Sequence, residues 1–215
     1  MKKYNKLFVA TMVIGIATTG LSSIAHAETF DGINSGEVEI NGSIGKLDNT
    51  DPETNLPEGS DDWINVTVDT ATAFHTTIAS NHANIESAIY NITNNSGRGV
   101  AVYLDGMSGT PVYVNQLTIN PDDSKKPLIT TPVSFDLISD GEFSTKLATP
   151  WLLLANNMGE LKKGSGQDFG NSVDFNYTGK SQNLPTDVET VAKSENYKLT
   201  LKFASIQADG STIGQ

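Results

Sequence analysis

Apolar and polar residues alternate with a period of two along most of this chain. Ile64, Val66 and Val68 interleave with Asn65 and Thr67, and Val133, Phe135 and Leu137 with Ser134 and Asp136. Val173, Phe175 and Tyr177 share one face of another run, and Tyr197, Leu199, Leu201 and Phe203 oppose Lys198, Thr200 and Lys202. Residues 36–44, GEVEINGSI, alternate in the same way, and Val112, Tyr113 and Val114 lead to Leu117 and Ile119. Residues 89–93 and 100–104 flank the turn-forming NNSGRG and predict a hairpin, with a bulge where Ile89 and Ile92 stand three apart. Trp151-Leu152-Leu153-Leu154-Ala155 reads as a buried strand or core-covering segment, because Pro150 opposes a helix there. About nine short strands divided by Gly, Pro and Asn predict an all-β chain: an antiparallel β-sandwich, Greek-key or jelly-roll-like, with little helix. Polar residues on one face of most strands suit sheets that are wet on the outside.

Two stretches break the pattern. Residues 1–27 carry three lysines, an apolar core and an Ala25-His26-Ala27 exit, which predicts a secretory signal peptide removed after Ala27. The apolar core is too short and interrupted for a membrane span, so no spanning segment is expected after cleavage. Residues 46–62, KLDNTDPETNLPEGSDD, are acidic, hold two prolines and have little to bury, which predicts a mobile linker or long loop. The expected organisation is a signal peptide at 1–27, an N-terminal strand segment at 28–45, the acidic segment at 46–62 and a β-sandwich domain at 63–215. The strand at 36–44 would pair within its own sheet or add to a neighbour's open edge.

Charge and composition narrow the partners. The formal charge of −11 would become −14 on loss of Lys2, Lys3 and Lys6, which opposes nucleic-acid binding and docking on anionic lipid. Cysteine is absent, so neither a disulfide nor a lipid-bearing cysteine is expected, and a packed core must hold the fold.

The chemistry-bearing residues form no catalytic signature, and no catalytic residue, cofactor or metal is expected. His75 and His82 lie seven apart without metal-ligand spacing. There is no G-x-S-x-G elbow, and a carboxylate pair for glycoside hydrolysis would need only spatial proximity. Three residues are candidates for partner contact: Trp63 and Trp151, the two indoles, which read first as core anchors, and Arg98, the one arginine, for which pairing with a carboxylate is the first expectation.

The runs GEVEINGSIGKLDNTDPETNLPEGSDDWINVTVDTATAFHTT and IYNITNNSGRGVAVYLDG, across residues 36–104, resemble exported WxL-type proteins of Gram-positive bacteria or their operon neighbours. That resemblance implies a secreted, non-enzymatic cell-surface protein that associates non-covalently with wall peptidoglycan or with other surface proteins. Trp151-Leu152-Leu153 matches the first of the group's two Trp-x-Leu motifs, whereas Tyr197–Phe203 keeps Tyr and Leu-Thr but lacks the second Trp. A strand-donating assembly or matrix subunit, and a secreted hydrolase with paired carboxylates, are the competing expectations.

Overall fold

A computed structural model of the chain describes residues 47–130 and 133–212. The expected signal peptide and the strand at 36–44 lie outside the described residues. Within them the chain is all-β, with twelve strands: β1 (Val66–Val68), β2 (Phe74–Thr76), β3 (Asn84–Ser87), β4 (Tyr90–Asn94), β5 (Val100–Ser108) and β6 (Val114–Asp122), followed by β7 (Leu128–Ile129), β8 (Phe135–Ser139), β9 (Glu142–Phe143), β10 (Leu152–Leu154), β11 (Ser172–Ser181) and β12 (Lys198–Ser205). Among the described residues only two single-turn 3₁₀ segments, Asp61–Trp63 and Ile78–Ser80, interrupt the pattern.

The strands make two antiparallel sheets. The larger runs β1-β4-β11-β6-β8-β9, with β3 also on β11 and β2 on β3; the smaller runs β12-β5-β10-β7. β11 organises the larger sheet because it has ten residues and uses both edges along its length. Val173, Phe175 and Tyr177 point inward from it and are buried, as their alternation requires. Facing them from the smaller sheet are Val102, Leu104, Leu152 and Leu154, and together these side chains form one core. Trp151 sits inside it, edge-on to Phe175 with ring centroids 6.3 Å apart.

β3 and β4 are a single strand broken by an extra residue. Glu86 pairs with Thr178 and Tyr90 with Phe175, so four steps on one strand oppose three on the other. The bulge therefore falls at 87–89, just before the Ile89–Ile92 interval where the spacing placed it, and it leaves Ile89 exposed. The amide of Tyr177, which loses its ladder partner there, donates instead to Ser87 Oγ at 2.8 Å.

The expected hairpin across NNSGRG is not formed. β4 pairs with β1 and β11, whereas β5 pairs with β10 and β12, so the turn carries the chain from one sheet to the other. The reason is inside the turn. Asn94 is buried and its Nδ2 donates to the carbonyls of Arg98 and Ala155, at 2.8 and 2.7 Å. Its Oδ1 accepts from the Ser96 amide, and Ser96 Oγ donates to the Arg98 carbonyl at 2.6 Å. These side chains take the bonds a strand partner would have supplied, which frees β5 to leave the sheet.

Complete burial of Trp151 carries a measurable consequence. Trp151→Ala should lower unfolding free energy by about 3–5 kcal/mol in urea titration. A change within about 0.5 kcal/mol, as at an exposed surface position, would contradict its place in the core.

Candidate functional site

The three contact candidates from the sequence are all buried: Trp63 and Trp151 are 0% exposed and Arg98 4%. Neither indole has a face for a ligand, so of the two expectations for them the structure shows core anchors and not contact residues. The Trp151 backbone amide donates to Val102, and the Trp63 ring N–H donates to the Pro57 carbonyl at 3.1 Å.

Arg98 ties three parts of the chain together. Nη2 meets Glu58 Oε1 at 2.8 Å, Nη1 donates to the Pro52 carbonyl at 2.8 Å, and the guanidinium carbon lies 4.3 Å from the Trp63 ring centre. Glu58 Oε2 accepts the amide of Ala208 at 2.7 Å, so one carboxylate joins the acidic segment, the crossover and the chain after β12. Residues 47–62 therefore lie against the sandwich as a long ordered loop, with Leu56 buried, rather than as a detached linker. The composition argument missed this because the loop is held mostly by polar contacts, through the Glu58 carboxylate and the carbonyls of Asn49, Thr50 and Pro52, with Leu56 as its buried apolar side chain. Gly97 permits the close approach: a Cβ there would stand 2.6 Å from the Pro52 nitrogen, and its own amide donates to the Asn49 carbonyl at 2.7 Å. Arg98→Ala or Glu58→Gln should each cost about 3–5 kcal/mol in chemical denaturation, because either leaves a buried partner uncompensated. A loss below about 1 kcal/mol, typical of exposed pairs, would contradict the buried tie.

A carboxylate pair does exist, on the larger sheet. Asp174 and Asp122 stand opposite each other on β11 and β6. Hydrogen bonds from Lys125 at 2.7 Å, then from Asn91 at 2.8 Å, hold Asp174 below the ordinary carboxylate range. The Ser124 hydroxyl and amide do the same for Asp122. Both are thus ionised at neutral pH, whereas a glycosidic general acid needs its affinity for the proton raised. A carboxylate lowered in the folded state favours folding above its ordinary value, and that contribution is lost as pH falls through the folded value. NMR titration should place Asp174 below the usual aspartate range of about 3.9 and show Lys125→Met moving it back up. An unchanged midpoint in the variant would contradict the assigned cause.

A separate cleft of about 420 Å³ opens between the β2–β3 hairpin and the loop at 182–196. The hairpin turn is tightly specified. Asn81 and His82 both take left-handed backbone angles, with φ of 52° and 59°, a conformation that costs a residue with a side chain about 1–3 kcal/mol. The His82 carbonyl is held by Ser181 Oγ at 2.5 Å, and the His82 ring Nδ1 meets Thr76 Oγ1 at 2.8 Å. His82 Nε2 reaches Glu189 Oε2 across the cleft at 3.5 Å, longer than a hydrogen bond. Opposite, Glu195 accepts the amides of Val112 and Tyr113 through Oε1 and the Tyr197 hydroxyl through Oε2 at 2.5 Å. Burial first, and that bond to Glu195 second, push the Tyr197 phenol well above its ordinary value. Apolar surface comes from Phe74, Ile85 and Val114 on the sheet side and from Leu184, Pro185 and Val188 on the loop.

His75 and His82 both line this cleft, but among the described residues no group of three or more His, Cys, Asp or Glu could hold a metal ion. Thr76 and Glu189 escape sequence inspection, since one is a threonine among many and the other lies over a hundred positions from His82 in a loop without strand period. Fold and site together define an antiparallel sandwich with a cleft of mixed polar and apolar lining beside the Ser181 end of β11. Compared with known proteins, the chain matches no family model and no curated relative.

Proposed function

We propose that this protein is a secreted, non-enzymatic component of the Gram-positive cell surface that associates non-covalently with wall peptidoglycan or a surface complex. The observation that carries the reading is the cleft. It has the size and the mixed lining of a binding site, an apolar body with a few placed polar groups. It also lies on loops and a hairpin fixed to a rigid two-sheet scaffold, the usual location of recognition surfaces. The export signal and the WxL-type resemblance of residues 36–104 supply the compartment. Purified protein should sediment with peptidoglycan sacculi and be released by denaturant. Protein that remains in the supernatant at every wall concentration would overturn wall association.

A second reading, an assembly subunit, has one observation in its favour. β12 ends the smaller sheet with eight residues, and among the described residues no strand pairs with its outer edge. Such an edge accepts an added strand. A concentration-independent monomer, unchanged by deletion of residues 28–45, would remove this reading.

A further inference from the structure

We infer that the cleft between the β2–β3 hairpin and the 182–196 loop takes an aliphatic primary amine, with an apolar stem and an ammonium head such as a lysine side chain presents. The inference rests on the reading of the cleft as a binding site and names the chemistry of its ligand.

The first ground is an unused ring nitrogen. His82 Nε2 is buried, lines the cleft and has no hydrogen-bond partner among the described residues. The ring cannot turn away to find one cheaply, because Nδ1 is engaged by Thr76 and the carbonyl by Ser181. When Nδ1 donates to Thr76 Oγ1, Nε2 carries a lone pair that requires a donor, and a ligand head reaches it by displacing the half-exposed Glu189 side chain that stands 3.5 Å away.

The second ground is charge. Glu189 stands at the mouth with its side chain 53% exposed, and it approaches His82 without a hydrogen bond. Lys193 is committed to Asp187 at 3.2 Å, so it does not neutralise Glu189. Glu195 adds a second negative charge to the lining, and its oxygens already accept two amides and a phenol. A cation is therefore attracted and an anion repelled, in a chain whose formal charge is already −11. An ammonium has three donors and no acceptor, which matches a carboxylate and an imidazole lone pair side by side. A neutral hydroxyl would gain the same contacts without the charge term.

The third ground is the lining behind these groups. Phe74, Ile85, Val114 and Leu184 supply apolar surface next to the polar pair. A methylene stem fits against them while its head remains at the carboxylate, the arrangement long amphipathic side chains favour. The backbone of His82 is held in position before any ligand arrives, so little ordering remains to oppose binding.

The test uses the full chain with Nα-acetyl-lysine amide and its norleucine counterpart, which replaces the ammonium by a methyl group. NMR should show the lysine probe shifting the His82 imidazole and Thr76 resonances, with the norleucine probe at least tenfold weaker. Glu189→Gln should weaken the lysine probe at least tenfold while leaving the unfolding midpoint unchanged, since the side chain is half exposed. Equal binding of the two probes, or full affinity in Glu189→Gln, would overturn amine recognition. Sedimentation with sacculi before and after acetylation of their free amines separates the sources. Loss of sedimentation on acetylation assigns the amine to the wall, and probe binding with unchanged sedimentation assigns it to a protein or free peptide. Sedimentation without any response to the lysine probe overturns the amine inference and leaves the surface reading standing. Absence of both overturns both.

Discussion

A buried guanidinium sets terms for everything around it. Arg98 is out of water, always charged, and has five donors to satisfy. The chain meets this demand with Glu58, the Pro52 carbonyl and the Trp63 face, while Nε has no partner among the described residues. An ion pair of this kind adds little net stability over an apolar packing, but it cannot be half dismantled. It therefore specifies one arrangement beside the crossover: the acidic loop in place and the chain after β12 brought to Glu58. An acidic sequence that would stay solvated on its composition alone is ordered because Arg98 holds its Glu58 carboxylate and Pro52 carbonyl, while Gly97 and Asn157 take the carbonyls of Asn49 and Thr50.

That tie and the cleft sit at opposite ends of the same strand. Ser172 of β11 pairs beside the crossover, with Thr93, and Ser181 at the other end holds His82. At a strand's rise the ten residues separate the two by about 30 Å. The buried polar network thus lies near one end of β11, and the proposed binding cleft near the other. The strained backbone at Asn81 and His82 belongs to the open end, where such conformations are tolerated because the neighbouring strands over-determine them.

The parts of this fold that were legible in the sequence are those written by one-sided burial. Alternation at 173–177 and 197–203 marks β11 and β12 because each has one face on the core. β2, β3, β7 and β9 are too short to show a period, and β7 and β9 have two residues each. The hairpin expectation failed for a different reason. NNSG suits a tight turn locally, but the partners of β4 and β5 are β11 and β12, far along the chain, and only Asn94 and Ser96 satisfying the turn internally decides between them. Arg98 could be matched to a carboxylate in advance, though not to Glu58 rather than another acid. Of the cleft, His75 and His82 drew notice as a pair, whereas their setting depends on a loop with no pattern to read.

The central claim is that Arg98 is an architectural tie and that residues 47–62 are part of the folded body. Amide hydrogen exchange at Gly97, whose N–H donates to Asn49 in that loop, tests it most directly. The account predicts that Gly97 exchanges only through the global opening that also releases Phe175 in β11, and that Arg98→Met abolishes this protection while leaving β11 protected. Free exchange at Gly97 in the unaltered protein, with β11 still protected, would contradict it.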